Sequence, residues 1–208
     1  MKNHSRNLYL TALAALGAVL LAKRKNTSSG GKVGKLPTNR ELAEIDNIMD
    51  DFRAFVHSEW NVRNEIFKIP LSASRKKEIA SILQAQADAK GLKINPIKIK
   101  GAIVPTLGII HVRSRHSYEN QPYIEPEHSS EQFVVENDLA RLPFDLTHGT
   151  ILINDLNFIS KSHVSIVVSS DYLTTGHRYE TIWTYHTEYS RNKEYQGKLV
   201  FTTFYFVD

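Results

Sequence analysis

The chain has 208 residues, with 26 Lys and Arg, 22 Asp and Glu, a formal net charge of +4 and no cysteine. The missing cysteines exclude disulfide scaffolds, thiolate zinc sites and cysteine nucleophiles. Residues 1–36 hold seven Lys and Arg and no acidic residue, so residues 37–208 carry 19 basic and 22 acidic side chains, a net charge of −3. No nucleic-acid partner is expected, because a basic tail beside an apolar stretch is explained by attraction to anionic lipid headgroups.

Residues 8–22 form an apolar stretch of fifteen positions without charge, followed at once by Lys23, Arg24 and Lys25. A helix of this length spans about 22 Å, short of a hydrocarbon core of about 30 Å. Tyr9 can lie at one interface, and Lys23 and Arg24 can snorkel at the other. The pattern predicts an uncleaved membrane anchor whose main residues are Tyr9, Leu10, Leu13, Leu16, Val19, Leu20, Leu21, Lys23 and Arg24.

Two alternatives for the same stretch remain open. A cleaved signal peptide shares the basic start and apolar length, but its cleavage site is not normally followed by three cations. A helix buried in protein is the usual meaning of this length within a domain. Here charged and glycine-rich sequence separates the stretch from the remaining chain.

The sequence divides into three parts. Residues 1–25 are the predicted N-terminal membrane anchor with basic flanks, 26–36 a flexible Gly/Ser/Lys linker, and 37–208 a single α+β domain. The linker reaches about 17 Å, which keeps the domain near the bilayer. Two Lys and Arg precede the apolar stretch and five follow it. The positive-inside rule therefore favours a single-pass membrane protein with its domain on the cytoplasmic side.

A first helix is predicted to begin at Thr38, which has capping-box spacing with Glu41. Apolar residues then follow at intervals of three and four, which indicates one heptad stripe. The stripe is a candidate oligomerisation surface, and the alternative is a helix face that packs on the protein's own sheet. Its residues are Leu42, Ile45, Met49, Phe52 and Val56.

A second helix is predicted over Ser72–Lys90, with Ser72 or Ser74 as the N-terminal cap and Gly91 as the residue that ends it. From Leu92 onward the apolar period becomes two, which indicates a strand that Pro96 places at an edge or a bulge. Residues 102–112 read as one continuous buried strand, and 113–132 as a long polar loop.

Further strands are predicted at 133–135, 150–153, 163–168, 178–187 and 198–207. The last two form an antiparallel hairpin with a turn at 190–193. In its first strand one alternating set is Tyr179, Thr181, Trp183, Tyr185 and Thr187, and the other is Glu180, Ile182, Thr184 and His186. The predicted fold class is α+β: an N-terminal membrane helix, two helices, then a mainly antiparallel β-sheet of five to seven strands.

Nine histidines invite a metal hypothesis. Metal sites need three or four converging ligands, and the sequence has no HExxH and no His-x-His pair. His111 and His116 would point to opposite faces of an unbroken strand. Neither a metal nor another cofactor is expected.

No catalytic residue is assigned either. Ser74 and Lys77 match S-x-x-K, but the supporting motifs are absent and this serine can serve as a helix cap. Asp145, His148 and Ser165 can be combined into a triad, but no G-x-S-x-G turn supports it. No P-loop or dinucleotide-binding motif occurs.

The polar loop 113–132 is the better functional candidate, because long loops without secondary structure are often functional. Arginine and tyrosine are favoured at interface hot spots. The candidate partner-binding residues are Arg113, Arg115, Tyr118 and Tyr123, and a solvated connection is the alternative.

The combined expectation is a membrane-anchored, non-enzymatic structural or assembly protein that presents an α+β domain to other proteins or to itself. A bacterial envelope complex or a membrane-containing virion would suit such a protein. The alternatives are a single-pass component of a secretion or conjugation apparatus and a membrane-tethered hydrolase.

Overall fold

Six strands and three helices form the regular elements of the part of the chain that the computed structural model describes, which comprises residues 38–40, 43, 47, 50, 52, 55, 66–116, 139–152, 159–169 and 179–206. The elements are β1 (Ile66–Ile69), α1 (Ala73–Ala89), β2 (Gly101–Pro105), α2 (Thr106–His116), α3 (Leu142–His148), β3 (Thr150–Leu152), β4 (His163–Ser169), β5 (Tyr179–His186) and β6 (Lys198–Phe206). All described residues belong to one compact unit, 34–208.

The predicted anchor and linker lie outside the described residues. Within those residues, no helix combines the length and apolar character needed to cross a bilayer. The predicted first helix falls largely outside them too, although the seven residues described between 39 and 55 are all helical.

The strands form a single sheet in the order β1-β2-β6-β5-β4-β3. Every neighbouring pair is antiparallel except β2 and β6, which run parallel with Gly101 opposite Lys198 and Ile103 opposite Val200. The prediction of an α+β fold with five to seven mainly antiparallel strands is confirmed, with one parallel pair as a refinement. Parallel neighbours need a long crossover, and the chain between β2 and β6 provides it.

The helix predicted over 72–90 is confirmed as α1. Ser72 caps it, since its Oγ accepts the Arg75 amide at 3.1 Å, while Ser74 Oγ contacts Ser72 Oγ at 3.0 Å. Gly91 has a positive φ of 67° and its amide bonds the Asp88 carbonyl at 2.9 Å. Glycine adopts this conformation without a steric penalty. The signals at both ends of the helix therefore acted as expected.

The continuous strand predicted over 102–112 is wrong. The strand stops at Pro105 and α2 begins directly at Thr106. Ile109 and Val112 are fully buried at helical spacing, and Gly108 allows close contact, because a Cβ there would lie 3.0 Å from Cδ1 of Phe201. An apolar run of this length suits a buried strand or a buried helix, so periodicity alone does not distinguish them.

The strand predicted from Leu92 to Ile99 is also wrong, because residues 92–100 have no regular secondary structure. The backbone amides of this segment are hydrogen-bonded to a side chain and to another loop instead of to a strand. The Ile97 amide donates to Gln84 Oε1 at 2.9 Å, and the Lys100 amide donates to the Gly197 carbonyl at 2.8 Å. Ile97 and Ile99 enter the core while the lysines remain exposed. Alternating burial thus arises without a sheet partner.

The strands expected near 150–153, 163–168, 178–187 and 198–207 are confirmed as β3 to β6, and residues 133–135 lie outside the described part of the chain. The hairpin of β5 and β6 is antiparallel, with a bulge that makes Thr202 an extra residue between Phe201 and Thr203. Besides α2, which was expected as strand and loop, the elements β1 and α3 were not predicted from the sequence. Both are short, and α3 has Pro143 in its first turn.

The two faces of the sheet differ in chemistry. One face joins the helices in the main hydrophobic core, with Val164, Ile166, Val168, Tyr179, Trp183, Tyr185, Leu199, Phe201 and Phe204. We call the other face the second face; it carries His163, Ser165, Val167 and Ser169 from β4 and Glu180, Ile182, Thr184 and His186 from β5. The alternation predicted for β5 is therefore confirmed.

Candidate functional site

Two histidines meet at one end of the second face. His163 is the first residue of β4 and His186 the last residue of β5, and the strand register places them directly opposite each other. Their rings meet edge to face with centroids 4.4 Å apart. We call these two residues the histidine pair. The antiparallel register alone brings together two residues that are far apart in the sequence.

Each histidine of the pair is hydrogen-bonded to a serine through its Nδ1 atom. Ser162 Oγ lies 2.9 Å from Nδ1 of His163, and Ser190 Oγ lies 2.9 Å from Nδ1 of His186. The ring of Tyr195 also meets the His186 ring edge to face, at 5.3 Å between centroids. These contacts fix the orientation of both imidazoles.

Burial keeps both imidazoles neutral at physiological pH. Desolvation by burial, together with a smaller effect of the nearby His163, lowers the pKa of His186 to about 3. Desolvation also lowers the pKa of His163. A neutral imidazole donates from one ring nitrogen and accepts at the other, which suits a serine hydroxyl as its partner.

The chemistry open to this arrangement is limited by access. A serine beside a neutral histidine has the distance required of a nucleophile and its base. However, Ser190 is only 2% exposed and His186 only 4% exposed, so substrate would not reach them, while Ser162 and His163 are half-buried. Among the described residues, no three His, Asp or Glu side chains converge as a metal site would require.

The polypeptide between the two hairpin strands, residues 187–197, lies directly beside the histidine pair, and we call it the β5–β6 loop. Its backbone is held from within: Gln196 Nε2 donates to the carbonyls of Glu188 at 2.7 Å and Ser190 at 2.9 Å, and the Ser190 amide donates to the Thr187 carbonyl at 3.1 Å. A loop fixed in this way loses little conformational entropy when it binds a partner.

The same loop is fastened to the start of β4. Thr187 Oγ1 donates to the Lys161 carbonyl at 2.6 Å, and the Thr187 amide donates to the Ser162 carbonyl at 3.0 Å. Lys161 Nζ lies 4.0 Å from the centroid of the Tyr189 ring. Tyr189 is 47% exposed, and of the described residues it is the large hydrophobic side chain that faces solvent. The loop thus presents an aromatic ring and a cation on a rigid backbone.

The residues predicted for partner binding do not share one loop. Arg113 and Arg115 lie in α2, which continues to His116, so the polar loop predicted to begin at 113 is wrong in its first four residues. This segment continues a helix that packs on β6 and β2 and buries Ile109 and Val112 against them. Tyr118 and Tyr123 lie outside the described residues, and their role stays a prediction.

The predicted oligomerisation stripe is described at one position. Phe52 is fully buried, and its ring lies 4.9 Å from that of Phe67 in β1 and 5.7 Å from that of Phe55. Its side chain is therefore part of the domain's own core. Leu42, Ile45, Met49 and Val56 lie outside the described residues, as do the predicted anchor residues from Tyr9 to Arg24.

The three residues considered for a triad have other partners. Asp145 lies fully buried in α3, with an oxygen 3.6 Å from Nη2 of Arg141. The ring of His148 stacks on Phe144 with centroids 4.2 Å apart. Ser165 lies on the second face and bonds Thr184 Oγ1 at 2.9 Å, which in turn bonds Thr202 Oγ1 at 2.8 Å. His111, expected on a strand, lies buried on α2.

Comparison with protein-family models, with curated protein sequences and with solved structures finds no match to this chain.

Proposed function

We propose that this is a membrane-anchored, non-enzymatic structural or assembly protein that presents its α+β domain to protein partners at a bilayer. A bacterial envelope complex or a membrane-containing virion suits such a protein, and a component of a secretion or conjugation apparatus is a special case. The observation that carries the proposal is the contrast between the buried and the exposed side chains of this site. His186 and Ser190, which could take part in catalysis, are buried and hydrogen-bonded to each other beneath a rigid loop. The exposed side chains, Tyr189 and Lys161, are an aromatic ring and a cation, which suit a binding surface.

The organisation of the chain supports the membrane part of the proposal. The chain divides into residues 1–33 and 34–208, and the boundary falls within the linker predicted at 26–36. The apolar stretch and its following cations thus belong to a different part of the chain from the described domain. A domain that folds around its own core can remain at the membrane through such a tail.

The proposal is tested with the full-length protein in detergent and with a variant lacking residues 1–36. Flotation with phosphatidylcholine vesicles should require residues 1–36. Light scattering should give a mass above that of one chain for the protein extracted from its native membrane with mild detergent, because partners or further copies are retained. A protein that stays strictly monomeric, and floats equally well without residues 1–36, would count against the proposal.

A membrane-tethered hydrolase is the second candidate, and the half-buried Ser162–His163 pair favours it. A serine-reactive fluorophosphonate distinguishes the two functions. A hydrolase would be labelled at one serine, and labelling would disappear in Ser162→Ala. The structural function predicts no labelling above that of a heat-denatured sample.

A further inference from the structure

Three segments come together beyond the end of the sheet where the histidine pair lies: residues 92–100, 161–163 and 188–198. The Asn95 amide donates to Glu188 Oε1 at 2.9 Å, and the Tyr185 hydroxyl donates to the Lys98 carbonyl at 3.4 Å. The Lys100 amide bonds the Gly197 carbonyl, and Lys161 contacts Tyr189. These contacts make the three segments one continuous surface, which we call the basic end.

The basic end carries an excess of positive charge that the domain as a whole lacks. Its acidic side chains are Glu188 and Glu194, and its seven basic side chains are Lys93, Lys98, Lys100, Lys161, Arg191, Lys193 and Lys198. All the basic residues except the half-buried Lys198 are exposed. Residues 37–208 together are net −3, so a surface of net +5 leaves a net −8 on the rest of this region.

We propose that the basic end lies against the anionic surface of the bilayer to which the N-terminal segment anchors the protein. This inference rests on the anchor in the proposed function. Each Lys or Arg near an anionic surface contributes a favourable attraction, and tyrosine is enriched at membrane interfaces because its ring is apolar and its hydroxyl polar. Tyr189 and Lys161 supply both kinds of group at the exposed tip of the surface.

The tether makes this partner more favourable than a free acidic protein. A linker of about 17 Å keeps the domain next to the headgroups, so contact with the bilayer is intramolecular and needs only a weak attraction. The predicted orientation gives the same result, because the positive-inside rule favours the cytoplasmic side, where anionic lipids are concentrated.

The absence of cysteine in the sequence permits a clean test with single labels. The full-length protein carries a bimane fluorophore at Arg191→Cys, in the basic end, or at Lys77→Cys, near the start of α1. Each change removes one exposed cation. The start of α1 lies toward the other end of the sheet. Arg75 donates to the carbonyl of Gly149, and Gly149 packs against Ser169. Ser169 is the last residue of β4 and lies about 20 Å from His163, the first.

The labelled proteins are bound to vesicles of phosphatidylcholine alone or of phosphatidylcholine and phosphatidylserine in equal parts. We expect bimane emission at position 191 to shift to the blue only with phosphatidylserine, and the shift to disappear in high salt, since salt screens exposed charges. Emission at position 77 should not change. In Lys93→Gln/Lys98→Gln the ratio of docked to undocked protein should fall about 30-fold, because two cations are lost. Lys76→Gln/Lys77→Gln, near the start of α1, should have little effect.

The outcomes separate this inference from the anchor. Flotation with both vesicle types together with unchanged emission at position 191 would overturn the inference and leave the anchor intact. Salt-sensitive flotation with phosphatidylserine vesicles alone would remove the anchor. A blue shift at position 191 under the same conditions would support the inference, whereas unchanged emission there would overturn it, because the seven cations of residues 1–36 also attract anionic lipid. No flotation with either would overturn both. A blue shift with soluble poly-glutamate but not with anionic vesicles would overturn it in favour of an acidic protein partner.

Discussion

His163 and His186 face each other edge to face across β4 and β5, each with a serine at Nδ1 and each with its pKa lowered by burial. Neither ring has a carboxylate among the causes of its shift. The pair is therefore stable only in its neutral form, and protonation of either ring opposes folding.

Acid should destabilise the domain through His186. An unfolded histidine has a pKa of about 6.5, whereas burial lowers the pKa of folded His186 to about 3. Between these values the unfolded state binds a proton that the folded state does not. The contribution of the neutral ring is thus complete above about pH 6.5 and is lost as pH falls toward about 3; at about pH 5 we expect a loss of about 2 kcal/mol.

Urea unfolding followed by tryptophan fluorescence, to which the buried Trp183 contributes, measures this effect at neutral and acidic pH in detergent-solubilised protein. His186→Gln keeps a polar side chain beside Ser190. It should remove about one proton from the uptake that accompanies unfolding between about pH 3 and 6.5, and so flatten the dependence of the free energy of unfolding on pH. Equal pH dependence in the two proteins would show that another group is responsible.

The hydrogen bond from Ser190 should matter more than the bond from Ser162. Ser190→Ala leaves the buried Nδ1 of His186 without its partner, which typically costs about 1–3 kcal/mol. Ser162→Ala affects a half-buried ring that water can reach, so we expect a loss below about 1 kcal/mol. Both values follow from urea midpoints at neutral pH, and a larger loss for Ser162→Ala would contradict the burial argument.

Gly149 is required by packing against backbone. A Cβ at this position would lie 2.6 Å from the Asp145 carbonyl oxygen and 2.9 Å from Cγ1 of Val168, and would also clash with the Ser169 carbonyl oxygen. Gly149→Ala should destabilise the domain by about 3 kcal/mol, because backbone atoms cannot rotate away.

Gly101→Ala is the matched control, because a Cβ there meets nothing within 4 Å. Its stability should be unchanged, or higher by up to about 1 kcal/mol through lower entropy of the unfolded chain. Thermal unfolding of the two variants compares them directly, and similar melting temperatures would mean that the region near Gly149 can relax.

Arg75 joins the start of α1 to the end of α3. Its Nε donates to the Leu146 carbonyl at 3.0 Å and its Nη2 to the Gly149 carbonyl at 2.6 Å. Arg75→Met keeps an apolar stem but leaves two carbonyls unpaired, so we expect a loss of about 2–4 kcal/mol. Arg75→Lys should restore less than half of it, since an ammonium lacks the planar fork. Lys76→Met is the control at the neighbouring position. If Lys76→Met lowered the free energy of unfolding as much as Arg75→Met does, the two hydrogen bonds of Arg75 would not explain the loss.

The sequence was informative where local signals decide the structure. Ser72 and Gly91 mark the ends of α1 through capping chemistry, and the alternation from Tyr179 to His186 identifies both faces of β5. Local signals failed where tertiary contacts decide. Residues 92–100 alternate in burial without a strand, and the apolar run after Pro105 is a helix because it packs on Phe201.

The candidate site was only partly predictable for the same reason. The sequence shows nine histidines but not the register between β4 and β5, which alone pairs His163 with His186. The segment between these strands has no tight-turn signal that would fix the register. The basic end was equally hidden, because its cations come from three separate segments that only tertiary contacts bring together.

The parallel pairing of β2 with β6 sets an order of events during synthesis. Gly101 and Lys198 are 97 positions apart, and β6 fills the middle of the sheet between β2 and β5. Until the ribosome releases β6, the antiparallel pair of β1 and β2 and the pair of β4 and β5 have open edges that invite wrong pairing. The domain therefore closes its sheet as a late, long-range step.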